Sequence, residues 1–337
     1  MKVVSFFAGA GGLDLGFEQA GYDVIWANEF DSEIWDTYAY NHPNTYLDKR
    51  SITDISADEV PNCDGIIGGP PCQSWSEAGA KRGIADKRGQ LFYDFIRILK
   101  AKQPKFFLAE NVSGMLHPAH RQALEHIQSL FKESGYRLTF HSINVADYGI
   151  AQDRKRVFFI GIRSDLSLAF RFPLPSSIRQ QVLKDVIYDI RDSAQPRASG
   201  LSAEPPVCIV PNHEYMTGGF SPIFMSRNRV RSWDEVSFTI QAGARQAPLH
   251  PSAPKMLLVE PNKRIFIPGK EELYRRLSVR ECARIQTFPD DFIFLYRNIA
   301  SGYKMVGNAV PPKMAQIIAT AIMNQLQTLE DESSKKH

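Results

Sequence analysis

Cys72 stands in the run Gly69-Pro70-Pro71-Cys72-Gln73, just past a short apolar stretch from Gly65 to Gly68. Such a stretch reads as a buried strand, and open α/β sheets bind ligands at their strand tips. Two successive prolines fix φ twice and stiffen the loop that aims the thiol. A thiol is mostly protonated near neutral pH, yet it is the best protein nucleophile and can be activated as a substrate binds. Two other strand tips offer partners. Glu110-Asn111-Val112 follows the run Phe106 to Ala109, which sets a carboxyl group at the same sheet edge, suited to general acid work. The plainer alternative is a glutamate that caps a helix or faces solvent. Gln152-Asp153-Arg154-Lys155-Arg156 precedes the run Val157 to Ile162. Strand alternation puts Arg154 and Arg156 on one face, able to hold a pyrimidine carbonyl or a phosphate, or else to form a solvated basic edge.

A second constellation suits a nucleoside. Phe7-Ala8-Gly9-Ala10-Gly11-Gly12 lies between the first strand and first helix, and Glu29 follows at the end of the second strand. Glycines let the backbone turn tightly against a ligand, and a carboxylate at the second strand tip can accept both ribose hydroxyls. The dinucleotide fingerprint asks for a third glycine at position 14, where this chain has Asp14. A pyrophosphate is therefore disfavoured, whereas S-adenosylmethionine has no phosphate to seat there. The glycines alone could equally form a βα turn without a ligand; the added acid favours one. Phe30 is a candidate surface for stacking an adenine ring, or a core aromatic.

These tips need a scaffold. Val3 to Phe7, Asp23 to Ala27, Gly65 to Gly68, Phe106 to Ala109 and Val157 to Ile162 read as strands. Leu13 to Ala20, the spacing of Phe92, Phe95, Ile96 and Leu99, and that of Leu124, Ile127, Leu130 and Phe131 read as helices. The alternation predicts an α/β fold with a mostly parallel, doubly wound sheet. From Pro173 to Pro206 periodicity fades. A smaller irregular domain follows, with Ser237 to Ile240 strand-like, before helical patterns at Leu273 to Gln286 and Lys313 to Leu326. The expected division is a catalytic and cofactor-binding domain at 1–170 completed by 300–330, a recognition domain at 171–299 organised by a helix near 273–286, and a frayed tail at 331–337.

The 337 residues carry a net charge of +3, a weak pointer to a polyanion, and four scattered cysteines without zinc-like spacing, so no metal is expected. Cys63, Cys208 and Cys282 read as inert reduced thiols. No apolar run approaches the roughly 18 residues of a membrane span, and Gly9, Gly11 and Gly12 cut short any signal segment; a cytoplasmic protein without membrane attachment is expected. Charge placement is more telling. Arg227, Arg229 and Arg231 alternate, so an extended strand would present all three, with Gln241 and Arg245 following. Arginine pairs bidentately with guanine edges, but half or more of protein–DNA hydrogen bonds go to the backbone, so the arginines divide between both roles. Ser74 to Gly89, with Lys81, Arg82, Lys87, Arg88 and three glycines, suits a basic lid, or a surface loop of the same composition.

Taken together, these runs closely resemble the bacterial DNA cytosine-C5 methyltransferase family over nearly the whole chain. The family's Phe-x-Gly-x-Gly-Gly falls on Phe7, Gly9, Gly11 and Gly12, its acidic ribose ligand on Glu29, its Pro-Cys on Cys72, its Glu-Asn-Val on Glu110 to Val112, and its Gln-x-Arg-x-Arg on Gln152, Arg154 and Arg156. Arg276 to Gln286 with Phe288-Pro289 is similar to the helix that organises the recognition domain, and Gly307 to Pro311 to the segment that completes the cofactor pocket. The resemblance implies S-adenosylmethionine as methyl donor, with Pro70, Asn308 and Ala309 among the cofactor contacts. It implies a cytosine flipped from duplex DNA, Cys72 attacking C6, Glu110 at N3 and Arg154 at O2. Where the family often has Gly-Asp-Ile, this chain has Arg50-Ser51-Ile52, so the adenine contact rests on Ser51 and Ile52, on Asp48 or Asp54, or on backbone. Asn212 to Tyr215, Phe224 to Arg231 and Leu249 to Pro251 are similar to the GGCC-recognising modification enzymes. A G/C-rich site, a cognate restriction endonuclease without a stable complex, and a monomer are expected.

Competing readings are a tRNA-modifying relative, which lacks a comparable sequence-reading domain, and a DNA-binding regulator, which has no use for Cys72, Glu110 and Arg154. A nicotinamide oxidoreductase fits worst, given Asp14.

Overall fold

A computed structural model of the chain describes residues 1–71, 87–175, 179–200 and 205–334. It divides into two compact units: Met1–Ile143 with Lys155–Leu174 and Pro312–His337, and Asn144–Arg154 with Pro175–Pro311. The first unit thus reaches Leu174, and the segments 144–154 and 300–311, expected with the catalytic part, belong to the second.

In the first unit, β1 (Lys2–Phe6), β2 (Asp23–Asn28), β3 (Tyr46–Asp48), β4 (Gly65–Gly68), β5 (Phe106–Val112), β6 (Tyr136–Asn144) and β7 (Lys155–Arg163) form one sheet in the order β3-β2-β1-β4-β5-β7-β6. β1 to β5 pair in parallel, while β7 runs antiparallel to β5. Val3, Val4 and Phe6 of β1 and Phe106 to Ala109 of β5 are wholly buried. A sheet covered on both faces demands such continuous apolar runs, which is why these strands were readable. Helices supply the cover. Helix α1 (Gly12–Gln19) lies so close to helix Pro312–Ser334 that a Cβ on Gly16 would overlap Pro312 and Ala315. Helices Lys87–Lys102 and Arg121–Glu133 contribute Phe92, Phe95, Leu99, Ile127 and Phe131 to a core shared with Phe107, whose ring stacks on Phe131 at 4.3 Å. β6 was not anticipated: at the end of the sheet order it mixes Arg137, Thr139, His141 and Ser142 with its apolar residues, and only Tyr136 and Ile143 are buried. The terminal helix continues to Ser334, so the expected tail is helical over its first residues.

The second unit has little regular structure. Its helix Val279–Ile285 is shorter than the expected 273–286 because Ser278 caps it. The Ser278 hydroxyl accepts from the Glu281 N–H at 3.0 Å and Glu281 returns to the Ser278 N–H at 2.7 Å. Helix Ile299–Asn308, with Gly302 and Gly307 inside it, was not foreseen. Ser237 to Ile240 forms no strand, only a bridge between Ser237 and Gln152. Much of this unit is held by buried arginines that donate to backbone carbonyls. Arg276 reaches Met216, Gly218 and Gly219, and Arg280 reaches Pro211, Pro289 and Phe292. Among the described residues, no helix is long and apolar enough to cross a membrane and no group of side chains could hold a metal ion.

Candidate active site

The parallel register aligns the ends of β1, β2 and β4 with Ala109 inside β5 in the first unit. Phe6 lies opposite Asn28 and Gly68, and Gly68 opposite Ala109. One residue further on come Phe7, Glu29, Gly69 and Glu110, so four of the expected groups project from one sheet edge, around the point where the order reverses between β1 and β4.

At the β1–α1 turn, Phe7, Gly9 and Gly11 all have positive φ, at 54°, 57° and 88°. Glu29 ties the turn to β2: its Oε2 accepts the Gly9 N–H at 2.8 Å and its Oε1 the Asp31 N–H at 2.7 Å. Among the described residues a Cβ on Gly9 would meet nothing within 4 Å, and Phe30 beside Glu29 is exposed. The turn therefore fits an adenosyl group. Gly12 is buried at the start of α1. Asp14 is turned inward, accepting from the Ser5 and Tyr38 hydroxyls at 2.6 Å each, and burial pushes its carboxyl above the usual range. Ser51 accepts from the Thr53 hydroxyl at 2.8 Å and Ile52 packs in the core. Asp48, one alternative for the adenine contact, is held by Arg50 at 2.7 Å, which keeps its carboxyl below the usual range.

Cys72 and Arg82 lie outside the described residues. The described residues before them are held to β5. The Asn111 amide, buried after Glu110, donates to the Pro70 carbonyl at 3.0 Å, and a Cβ on Gly69 would come 3.4 Å from Glu110 Oε2. Asn111 was passed over in the sequence; its place in Glu-Asn-Val was the available signal. The other three cysteines are poor nucleophiles. Burial pushes the Cys63 thiol up to about 12, the Cys208 thiol up to about 11, and that of Cys282 well up.

The two arginines expected on one face separate. Arg156 belongs to β7, where its Nε lies 3.0 Å from Glu110 Oε1, with side chains 15% and 11% exposed. Arg154 is in the second unit, 1% exposed, and its guanidinium donates to the carbonyls of Ile240 at 3.0 Å, Gly307 at 3.1 Å and Ala309 at 3.0 Å. The residues expected to bind cofactor at the C-terminal side, Asn308 and Ala309, follow the same clamp: Asn308 is exposed, and the Ala309 carbonyl also accepts from Gln286. Gln286 in turn accepts from Gln152 at 2.7 Å, so the Gln-x-Arg pair of this chain ties several distant segments of the unit together.

Among the expected DNA-reading residues, Arg227, Gln241 and Arg245 are exposed. Arg229 is not. It is buried, donates to the Phe224 carbonyl at 2.9 Å and lies over the Phe224 ring. The segment is not a strand, so alternation does not bring it outward. Arg231 pairs with Glu235 at 3.1 Å and covers Phe238. Arg227 and Gln241 line one cavity of about 180 Å³ with Asn228, Thr239 and Gln246, a concentration of amide, hydroxyl and guanidinium groups.

Comparison with known proteins bears on these arrangements. The family described as C-5 cytosine-specific DNA methylase matches residues 1–324. Type II methyltransferase M.FnuDI of Fusobacterium nucleatum is 55% identical over 338 residues, covering 100% of this chain and 97% of that protein. Type II methyltransferase M.NgoPII of Neisseria gonorrhoeae is 56% identical over 331 residues, covering 97% and 96%. Among solved structures, a putative DNA modification methyltransferase encoded within an E. coli prophage shares the fold with a TM-score of 0.74 at 24% identity, over 97% of this chain and 99% of that one. The methyltransferase EhMeth of Entamoeba histolytica does so at 0.67 and 16%, over 97% and 98%. With a match spanning nearly its full length and relatives more than half identical to it, the chain belongs to the C-5 cytosine-specific DNA methylases and is a DNA cytosine-C5 methyltransferase of the Type II kind.

Proposed function

We propose that the chain methylates cytosine within GGCC in duplex DNA, through a covalent adduct of Cys72, and that it protects DNA from a cognate restriction endonuclease. The observation that carries the catalytic part is the alignment of Phe7, Glu29, Gly69 and Glu110, which sets the adenosyl turn and the carboxyl group on one edge. The target rests on the similarity of the Asn212 to Tyr215, Phe224 to Arg231 and Leu249 to Pro251 runs to GGCC-recognising enzymes.

Cytosine C5 is too electron-poor to accept a methyl group unaided. S-adenosylmethionine, when bound, supplies an electrophilic methyl group. Glu29 accepts the ribose hydroxyls, and the Phe7 to Gly12 turn seats the adenosyl portion. The Cys72 sulfur forms a bond to C6 while Glu110 gives a proton or a strong hydrogen bond at N3, which turns C5 into an enamine carbon. After C5 gains the methyl group, its proton leaves to a base and the C6–S bond breaks, returning the electron pair to sulfur. The base must leave the stack to be reached, at a cost of a few kcal/mol. Arg156 orients that carboxyl group, which its Nε meets at 3.0 Å, and in this reading it takes the O2 contact expected of Arg154, which is engaged by carbonyls. Arg154 acts through the backbone it clamps.

Bisulfite sequencing of DNA from cells expressing the protein tests reaction and target together. Protected cytosines confined to GGCC are expected. Methylation confined to a different sequence would overturn the target, and a comparable rate from Cys72→Ser would overturn the adduct.

A further inference from the structure

We propose that His42 is a positioning residue for the methyl donor: its ring is a wedge under Gly11 that holds the β1–α1 turn in its left-handed conformation. The inference rests on the reading of that turn as the adenosyl seat.

The turn needs such support. Phe7, Gly9 and Gly11 all occupy the left-handed region, and for a residue with a Cβ this costs about 1–2 kcal/mol. On the β2 side, the turn is tied by Ala8 N–H to the Asn28 carbonyl at 3.1 Å and by Gly9 N–H to Glu29. Beneath the turn lies His42. Its side chain is fully buried, and a Cβ on Gly11 would overlap the Nε2 edge of the ring, so the imidazole touches the backbone where φ is +88°.

The ring's own position is fixed from two directions. Its Nδ1 lies 3.1 Å from both carboxylate oxygens of Glu18, one α-helical turn beyond Asp14. Its face stacks on Tyr38 with centroids 4.5 Å apart and planes at 27°. Tyr38 in turn donates to Asp14 at 2.6 Å, as does Ser5 of β1. Ser5, Asp14, Glu18, Tyr38 and His42 therefore form a connected polar brace linking β1, α1 and helix α2 (Trp35–Asn41). An apolar side chain could fill the space, but a hydrogen-bonded imidazole also has a set tilt. Asp14 thereby gains a role beyond excluding a pyrophosphate: it anchors the tyrosine against which the wedge rests. None of these groups needs to touch the ligand.

Glu18 gives the cleanest test, because its carboxylate is one-third exposed and its loss threatens the core least. Steady-state methyl transfer to duplex DNA and calorimetric binding of S-adenosylmethionine would compare wild type with Glu18→Ala, Glu18→Gln and His42→Ala. Loss of a hydrogen bond that holds a ligand-bearing turn is expected to raise KM and Kd for S-adenosylmethionine roughly tenfold in Glu18→Ala and His42→Ala. KM for DNA, and kcat at saturating donor, should stay within about twofold, and Glu18→Gln, which still accepts from Nδ1–H, should recover most of the affinity. If His42→Ala fails to fold, Glu18→Ala decides. Donor affinity in Glu18→Ala within about twofold of wild type, or Glu18→Gln as impaired as Glu18→Ala, would overturn the inference. Wild type that does not bind S-adenosylmethionine would remove the seat itself; wild type that binds while Glu18→Ala binds as well removes only the wedge.

Discussion

Truncating Arg154 to alanine separates a structural clamp from a base-contacting residue. Three carbonyls, of Ile240, Gly307 and Ala309, accept from its guanidinium within 3.1 Å inside the second unit. An acceptor left buried without a donor costs about 1–3 kcal/mol. Ala309 retains a bond from Gln286, so two acceptors bear most of the loss, and the cost comes to roughly 3–5 kcal/mol once the guanidinium's packing is included. For a domain of this size each kcal/mol moves Tm by about 2–4 °C, so Arg154→Ala should melt roughly 6–20 °C below wild type. Arg154→Lys should recover only part of that, because a single ammonium cannot reproduce a planar fork to separate carbonyls. Arg156→Ala should lose activity by a different route. Its pair with Glu110 is mostly buried, so removing the charge partner should cost about 3 kcal/mol of stability, while methyl transfer falls by on the order of a hundredfold even well below the melt. Calorimetric melting and urea unfolding followed through tryptophan fluorescence, with methyl transfer on the same samples, would read both effects. An Arg154→Ala protein that melts with wild type yet has lost activity would refute the clamp and restore Arg154 to the base.

Asn111→Ala should slow methyl transfer at least about tenfold without changing donor KM, since it removes the bond to the Pro70 carbonyl two residues before Cys72; single-turnover rates at saturating donor check this, and an unchanged rate means that bond is dispensable. Gly11→Ala should abolish donor binding, because the new Cβ overlaps His42 at a φ of +88°; calorimetry on a folded variant that still bound normally would contradict it. Burial pulls His250 down to about 4 from 6.5 and lowers His213 as well, so both stay neutral beside Glu281. With the folded pKa below the unfolded one, the stability from His250 is complete above pH 6.5 and is lost as pH falls toward 4, a loss of up to roughly 3 kcal/mol. Urea midpoints that fall across that window, less steeply in His250→Asn, are expected; a flat profile would count against it. Cys72→Ser should bind DNA but lose nearly all methyl transfer, measured by gel shift and labelled methyl incorporation.

How much could be read beforehand depended on what holds each part together. β1, β4 and β5 are covered on both faces, so burial writes continuous apolar runs such as Phe106 to Ala109 into the chain. Glu110 follows from the apolar run of β5, inside which it lies, and Glu29 from β2, whose last residue it succeeds. β6 lacks that signature, since most of its side chains are not buried. In the second unit the rule fails more broadly. Arg276 and Arg280 fill the place that periodic leucines would take, and their bonds to carbonyls leave no period to detect. Arg229 shows the same cause: its guanidinium satisfies Phe224 rather than solvent, and nothing in an Arg-x-Arg-x-Arg run marks which arginine turns inward. Arg154 and Arg156 share a face only if both belong to one strand, and β7 begins between them, at Lys155.

The arginines buried in the second unit also bear on how binding should respond to salt. Arg154, Arg197, Arg229, Arg276 and Arg280 are interior cations, and a cation bonded to protein carbonyls displaces no ion from a phosphate. The slope of log K against log salt, about 0.9 per phosphate neutralised on duplex DNA, should therefore count exposed groups such as Arg227 and Arg245 and pass over the interior ones. Their charge still adds to the field that draws a polyanion from a distance. If the second unit contacts DNA, cations held this way would attract it more strongly than the salt dependence alone would report.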